Sequence, residues 1–175
     1  MSNSSWLLIL GANSDIAIAS AKRYAQAGFN LYLAGRRLET LEQTAQDLRL
    51  RYAVKCQTLA FDARDFSSHR AFFTNLPTAP SGVIIAFGVL HSQQEAQADF
   101  ALAHDMIESN YSGAVSILEI IAAEFAQRQH GFIVVISSVA GDRGRQSNYI
   151  YGSTKAALSC YLAGLRHRLS LGKTG

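Results

Sequence analysis

Five short apolar runs, each separated from the next by a stretch of helical character, constrain this chain more than anything else in its sequence. Trp6–Leu10 is continuously apolar and closes at Gly11, the signature of a strand buried on both faces. Asn13, Ser14 and Asp15 then offer helix-capping chemistry to an Ala-rich stretch that runs to Ala27 and stops at Gly28. Residues 31–34 read as a second strand, and from Leu38 apolar residues recur at Leu41, Ala45 and Leu48, the spacing of an amphipathic helix. A third strand is predicted over residues 54–61, closed by Asp62, and a short helix over residues 66–75 before the turn carrying Pro77 and Pro80. Residues 83–87 and 132–136 are strands four and five, with one long helix predicted between them over residues 100–129. A loop rich in Gly, Arg and Ser leads to a last helix over residues 149–169. Strands alternating with helices call for a parallel sheet joined by right-handed crossovers. The expectation is one α/β domain over residues 1–175: a doubly wound, Rossmann-like sheet of about five strands with helices on both faces.

Composition narrows the class. Hydrophobic residues make up 49% of the chain and charged ones 17%, which excludes a disordered polymer. No window approaches the roughly 18 apolar residues of a membrane span, and no basic residue precedes Trp6 as a secretory signal would require. The expected location is the cytoplasm. Cys56 and Cys160, far apart, read as reduced structural thiols. Residues 1–142 hold 10 basic and 13 acidic side chains, a net of −3, whereas residues 143–175 hold 6 basic ones and no acid. Those charges are dispersed rather than packed into a block, which argues against nucleic acid. Their acidic partners are expected in sequence beyond residue 175. His69, His91, His104, His130 and His167 lack metal-ligand spacing, so no metal site is expected and surface or helix-side positions are.

Two segments carry chemistry. In folds of this class a dinucleotide sits at the first strand–turn–helix, its pyrophosphate at the helix N-terminus. The turn here, Gly11-Ala12-Asn13-Ser14-Asp15-Ile16-Ala17, has a single glycine, and a plain capped helix explains it equally well. The stronger signal is Tyr151-Gly152-Ser153-Thr154-Lys155, which puts a phenol and an ammonium four residues apart on one helix face. Ser138 lies thirteen residues earlier, where strand five runs into Ser137-Ser138-Val139-Ala140-Gly141. The C-terminal ends of parallel strands form the ligand crevice, so the serines and the Tyr151 helix can converge there.

Taken in order along nearly the whole chain, these elements resemble the short-chain dehydrogenases/reductases. The resemblance rests on Ser137 to Gly141, the offset from Ser138 to the Tyr-x-x-x-Lys, and Asn110-Tyr111-Ser112-Gly113. The stretch from Ser137 to Lys155, with Arg143 and Arg145, is similar more narrowly to the decaprenylphosphoryl keto-pentose reductase branch. The family implies an oxidoreductase that interconverts a carbonyl and an alcohol by hydride transfer. Tyr151 would be the acid/base, Lys155 its activator, Ser138 the holder of the carbonyl and Asn110 the anchor of a proton-relaying water. The physics is adequate. Bringing a phenol down by roughly 3 pKa units takes about 4 kcal/mol, and an ammonium about 4 Å away at an effective dielectric near 20 supplies about 4 kcal/mol.

For the cofactor, the resemblance implies contacts from Gly11, Asn13, Ser14, Asp15, Ile16, Arg36, Arg37, Asp62, Ala63 and Gly88, together with Tyr151 and Lys155. Gly35 stands where NAD-preferring relatives carry an acid, and Arg36 and Arg37 follow, able to pair with a 2′-phosphate. NADP(H) is therefore expected over NAD(H). Departures from the family pattern are Asp15 and Ala17 in place of two glycines of the turn, and Ile85-Ala86-Phe87-Gly88 in place of Asn-Asn-Ala-Gly. Family members continue for some 70 residues more, so the chain reads as truncated before a substrate lobe. An inactive nucleotide-binding fragment or an interaction module is the alternative. The implied partners are a small carbonyl or alcohol substrate, sugar- or lipid-linked in the narrower branch, and a second copy of the chain, through helices 100–129 and 150–169.

Overall fold

A computed structural model describes residues 5–171, and the side chains of residues 5–170. Residues 172–175, including Lys173 of the basic tail, lie outside the described residues. The chain divides into two compact units. The first holds the segment up to Asp62, residues 75–87 and residues 130–136; the second holds residues 63–74 and 88–129 and the segment from Ser137 onward.

The first unit is a five-stranded parallel sheet in the order β3-β2-β1-β4-β5, with β1 Trp6–Leu10, β2 Asn30–Gly35, β3 Cys56–Ala60, β4 Gly82–Ile85 and β5 Phe132–Val135. Leu8 of the central strand sits opposite Tyr32 on one side and Val83 on the other. Leu7, Leu8, Ile9 and Leu10 are all fully buried, and each such side chain contributes about 1.5–3 kcal/mol relative to exposure. The continuous apolar run is the sequence image of that double burial.

Helices α1 (Asp15–Gln26) and α2 (Leu38–Tyr52) belong to the same core, α1 through Ala17, Ala21 and Ala25, and α2 through Leu41, Ala45 and Leu48. Ser14 caps α1, its hydroxyl oxygen accepting the Ala17 N–H at 3.3 Å. The far end of α2 is tied to β3 by Arg49, which donates to the Cys56 carbonyl at 2.6 and 2.9 Å and to Glu42 at 2.6 Å. That hydrogen bond to Arg49 holds the Glu42 carboxyl below its ordinary range, against a smaller opposing effect of burial.

The second unit is helical: α3 His69–Thr74, α4 Gln93–Ala98, α5 Phe100–Ile107, a π turn Glu108–Ser112, α6 Gly113–Arg128, a 3-10 turn Val139–Gly141 and α7 Tyr149–Leu171. The single helix expected over residues 100–129 is thus interrupted at 108–112, and α4 has no counterpart in the sequence reading. Buried residues on α6 fall at Ala114, Ile117, Leu118, Ile121, Ala122 and Phe125, the three-and-four spacing of one apolar face.

Two positions differ from expectation. His69 is fully buried rather than superficial, its Nδ1 lying 2.9 Å from the Ser116 hydroxyl. Arg168 of the acid-free tail finds its acid inside the chain, on α6, where Glu119 accepts from it at 2.8 Å and from the Tyr161 hydroxyl at 2.7 Å. No helix among the described residues is long and apolar enough to cross a membrane.

Gly11 closes β1 at φ 81°, a conformation L side chains rarely adopt, and a Cβ there would meet the backbone nitrogen of Phe87 and its Cα at 2.6 Å. Neither neighbour is a flexible side-chain end. Gly11→Ala is expected to cost about 2–4 kcal/mol of unfolding free energy, measured by urea denaturation of the purified chain.

Candidate active site

All four residues expected to do chemistry fall in the second unit, and the helices explain why they meet. Tyr151 and Lys155 occupy the first two turns of α7. Lys155 is only 4% exposed, and its Nζ lies 5.8 Å from the centre of the Tyr151 ring. Tyr151 itself packs against the cluster formed by Ala96, Ala103 and Met106.

Asn110 sits within the π turn, 1% exposed. Its Oδ1 accepts the Val89 N–H at 2.7 Å, and its Nδ2 donates to the Val89 carbonyl at 2.8 Å and to the Thr154 hydroxyl at 3.2 Å. Thr154 in turn donates to the Tyr151 carbonyl at 2.7 Å. One amide thus ties the segment after β4 to the helix that carries Tyr151. A Cβ on Gly88 would lie 3.1 Å from Asn110 Oδ1 and 3.6 Å from Lys155 Nζ, so glycine at this position keeps the space between those two polar atoms open.

Ser138 has extended backbone and caps the 3-10 turn, its hydroxyl oxygen accepting the Ala140 N–H at 3.1 Å. That turn lies against α7 at two glycines. A Cβ on Gly152 would come within 2.6 Å of the Ala140 carbonyl oxygen, and one on Gly141 within 2.7 Å of the Ala156 nitrogen. Glycine at 113 serves the same end, since a Cβ there would collide with the Ala63 carbonyl oxygen. Ala63 and Gly88, expected at the cofactor, therefore belong to the unit that holds Asn110 and Lys155.

The other cofactor candidates lie in the first unit. Gly11, Asn13 and Ser14 form the turn into α1, and Asp15 and Ile16 begin the helix with both side chains exposed. Asn13 Nδ2 donates to the Arg37 carbonyl at 3.3 Å, and a Cβ on Gly35 would lie 2.7 Å from Asn13 Oδ1. Asn13 thereby joins the turn after β1 to the turn after β2, where Arg36 and Arg37 are both exposed. Asp62 is partly buried just beyond β3.

Three contributors escaped the sequence reading: Thr154, Gly152 and Gln93, whose Oε1 accepts the Ile150 N–H at 3.1 Å at the start of α7. Gly152 and Thr154 sit inside the Tyr-x-x-x-Lys motif and could have been flagged there. Gln93 carries no local signal, because its partner is 57 residues away.

Burial pushes the Lys155 ammonium below its ordinary pKa, since removal from water disfavours the charged form. A lysine whose folded pKa is lowered costs stability wherever it must be protonated in the fold, and the cost fades as pH rises through the lowered value towards that of the unfolded chain. Lys155→Met is therefore expected to stabilise the chain at neutral pH by on the order of 1 kcal/mol. The gap should close as pH is raised, as measured by thermal unfolding of both proteins from neutral to alkaline pH.

Residues 5–172 match the family described as short chain dehydrogenase. An uncharacterized oxidoreductase of Mycobacterium tuberculosis (strain ATCC 25618 / H37Rv) is 37% identical over 166 residues, which cover 93% of this chain and 66% of that protein. A sulfoacetaldehyde reductase of Chromohalobacter salexigens is 33% identical over 165 residues, covering 91% and 65%. Among solved structures, a short-chain dehydrogenase from Sphingobium yanoikuyae in complex with NADPH superposes with a TM-score of 0.88 at 27% identity, over 96% of this chain and 66% of that one. The chain spans about two thirds of the length of these relatives, 66% of the mycobacterial one. Sheet order, the Tyr151–Lys155 helix and the match over residues 5–172 agree, and the chain belongs to the short-chain dehydrogenase family.

Proposed function

We propose that this chain is an NADP(H)-dependent oxidoreductase that interconverts a carbonyl and an alcohol, with Tyr151 moving the proton. The observation that carries the reading is the burial of Lys155 beside the Tyr151 ring, with Asn110 and Gly88 around its ammonium. Burying a lysine is unfavourable for the fold, and such a cost is characteristic of functional sites.

The residues of the first unit fit the nucleotide. The N-terminus of α1 offers the positive end of a helix to phosphate, and the guanidinium groups of the exposed Arg36 and Arg37 make no ion pair or hydrogen bond with any described residue. Gly35 is packed so closely on Asn13 that an acidic side chain there would displace it, which supports a 2′-phosphate over a free ribose hydroxyl. Exposed Asp15 is the one charge of the turn that opposes a phosphate. The NADPH present in the Sphingobium relative supports the same choice. When bound, the reduced nicotinamide supplies the hydride.

The protein's part is proton handling and orientation. In the reductive direction, the Tyr151 hydroxyl donates its proton to the carbonyl oxygen. The Ser138 hydroxyl, whose oxygen is already accepting from Ala140, turns its hydrogen to the same atom. The Lys155 ammonium stabilises the phenolate left on Tyr151, and its low-dielectric surroundings strengthen that effect. Both Nδ2 hydrogens of Asn110 are engaged, so a proton-relaying water would be held by the second lone pair of Oδ1, towards Gly88 and Lys155.

Tyr151→Phe is expected to lower turnover by a factor of roughly 10²–10⁴, the usual worth of a positioned acid/base, while NADPH binding survives. Steady-state assays on a panel of aldehydes and ketones, alongside a fluorescence titration with NADPH, check both halves. Near-normal turnover would remove Tyr151 from the mechanism. Arg36→Ala is expected to weaken NADPH binding about tenfold to a hundredfold, the worth of a charge-assisted contact, and to leave NADH binding unchanged. Equal losses for both cofactors in calorimetric titration would exclude the 2′-phosphate assignment.

A further inference from the structure

The start of α7 holds polar atoms that the proton chemistry does not use. Gln93 takes over the capping of this helix, its Oε1 accepting the Ile150 N–H at 3.1 Å. Its other amide atom, Nε2, is buried without a hydrogen-bond partner in a residue only 9% exposed. Asn148, the residue before the helix and the ordinary capping position, leaves its Oδ1 buried and unpartnered. Buried polar groups are nearly always satisfied, so two orphans at one helix start call for partners that the described residues do not supply.

Two of the three charges in the loop leading into α7 are positive. Arg143 and Arg145, in the loop leading into α7, are exposed and make no ion pair or side-chain hydrogen bond with any described residue. Asp142, the one acid of that loop, is exposed and pairs with neither of them. The first turn of α7 has no acid, and this 23-residue helix adds the positive end of its dipole. The 3-10 turn that Ser138 caps packs on the same turns of α7, and Tyr151 lies three residues beyond Asn148.

We propose that the start of α7 is a subsite for an oxyanion carried by the carbonyl substrate, a carboxylate, sulfonate or phosphate, bound by Gln93 Nε2, Arg143 and Arg145. A half-turn of the Asn148 amide would bring its Nδ2 to the same ligand as a further donor. The substrate class is thus an acidic aldehyde or ketone, whose anionic end docks at the helix start while its carbonyl reaches Tyr151. The inference rests on the assignment of Tyr151 as acid/base.

The test compares 4-oxobutanoate with its methyl ester, two aldehydes differing in one negative charge, using NADPH and the full chain. The wild type should prefer the acid. The ratio of kcat/KM for acid over ester should fall tenfold to a hundredfold in the double variant Arg143→Ala/Arg145→Ala, the loss expected for charge-assisted contacts. It should fall likewise in Gln93→Met, which removes the orphan donor without adding charge; the lost bond to the Ile150 N–H affects acid and ester alike, so a merely structural Gln93 would leave the ratio unmoved. An unchanged ratio in both variants, or a loss of NADPH affinity in their place, overturns the subsite. If the wild type reduces neither aldehyde, the oxidoreductase reading fails separately. Calorimetric titration with inorganic sulfate then decides the subsite alone: binding abolished in both variants upholds it, and binding equal in all three proteins refutes it.

Discussion

The helical unit depends on the satisfaction of one buried amide. Asn110 is almost wholly excluded from water and would be costly there unless each of its polar atoms were paired. Both backbone groups of Val89 and the hydroxyl of Thr154 provide the partners, and none of the three is near Asn110 in sequence. The amide sits within a π turn at residues 108–112, a departure often found at functional sites. From this amide follow the course of the chain after Gly88, the depth of the Tyr151 helix and the open space beside Lys155.

A similar economy governs the first unit. Ala12 and Gly11 both donate to the Ala34 carbonyl, at 3.0 and 2.9 Å, which draws the turn after β1 against the end of β2. Asn13 then spans the same gap with its side chain. The close approach works because position 35 carries no side chain and Gly11 turns where other residues would be strained. What these two turns present to solvent is a helix N-terminus and a pair of arginines.

A second cluster stabilises the segment after Val89. Asp105 accepts from Arg64 at 2.6 Å and lies 2.7 Å from His91 Nε2, so α5 holds the segments that follow β3 and β4 together. Burial tends to raise the Asp105 carboxyl, but the hydrogen bond from His91 and the charge of Arg64 outweigh it and hold the group below its ordinary range. Its contribution to stability is therefore present at neutral pH and is lost as pH falls through that lowered value. Asp105 and Asn110, five residues apart, grip the chain at His91 and Val89, the one by its carboxylate and the other by its amide.

The five strands and the helices beginning at Asp15, Leu38 and Tyr149 were legible in the sequence to within a few residues, because a strand buried on both faces and an amphipathic helix each write a period into it. The motif Tyr151–Lys155 was legible for the same reason, since helical spacing alone puts both residues on one face. The break at 108–112 was not legible: a π turn leaves apolar spacing on either side intact, and the partners of its Asn110 are Val89 and Thr154, both distant in sequence. Nor was the burial of His69, which depends on Ser116 across two helices, nor the pairing of Arg168 with Glu119. Gln93 as the cap of α7 shows the division most plainly. The sequence by itself determined which segments become strands and helices and which residues share a face, since those follow from local periodicity. Only the tertiary structure decided which buried polar groups find partners, because each such partner comes from another part of the chain.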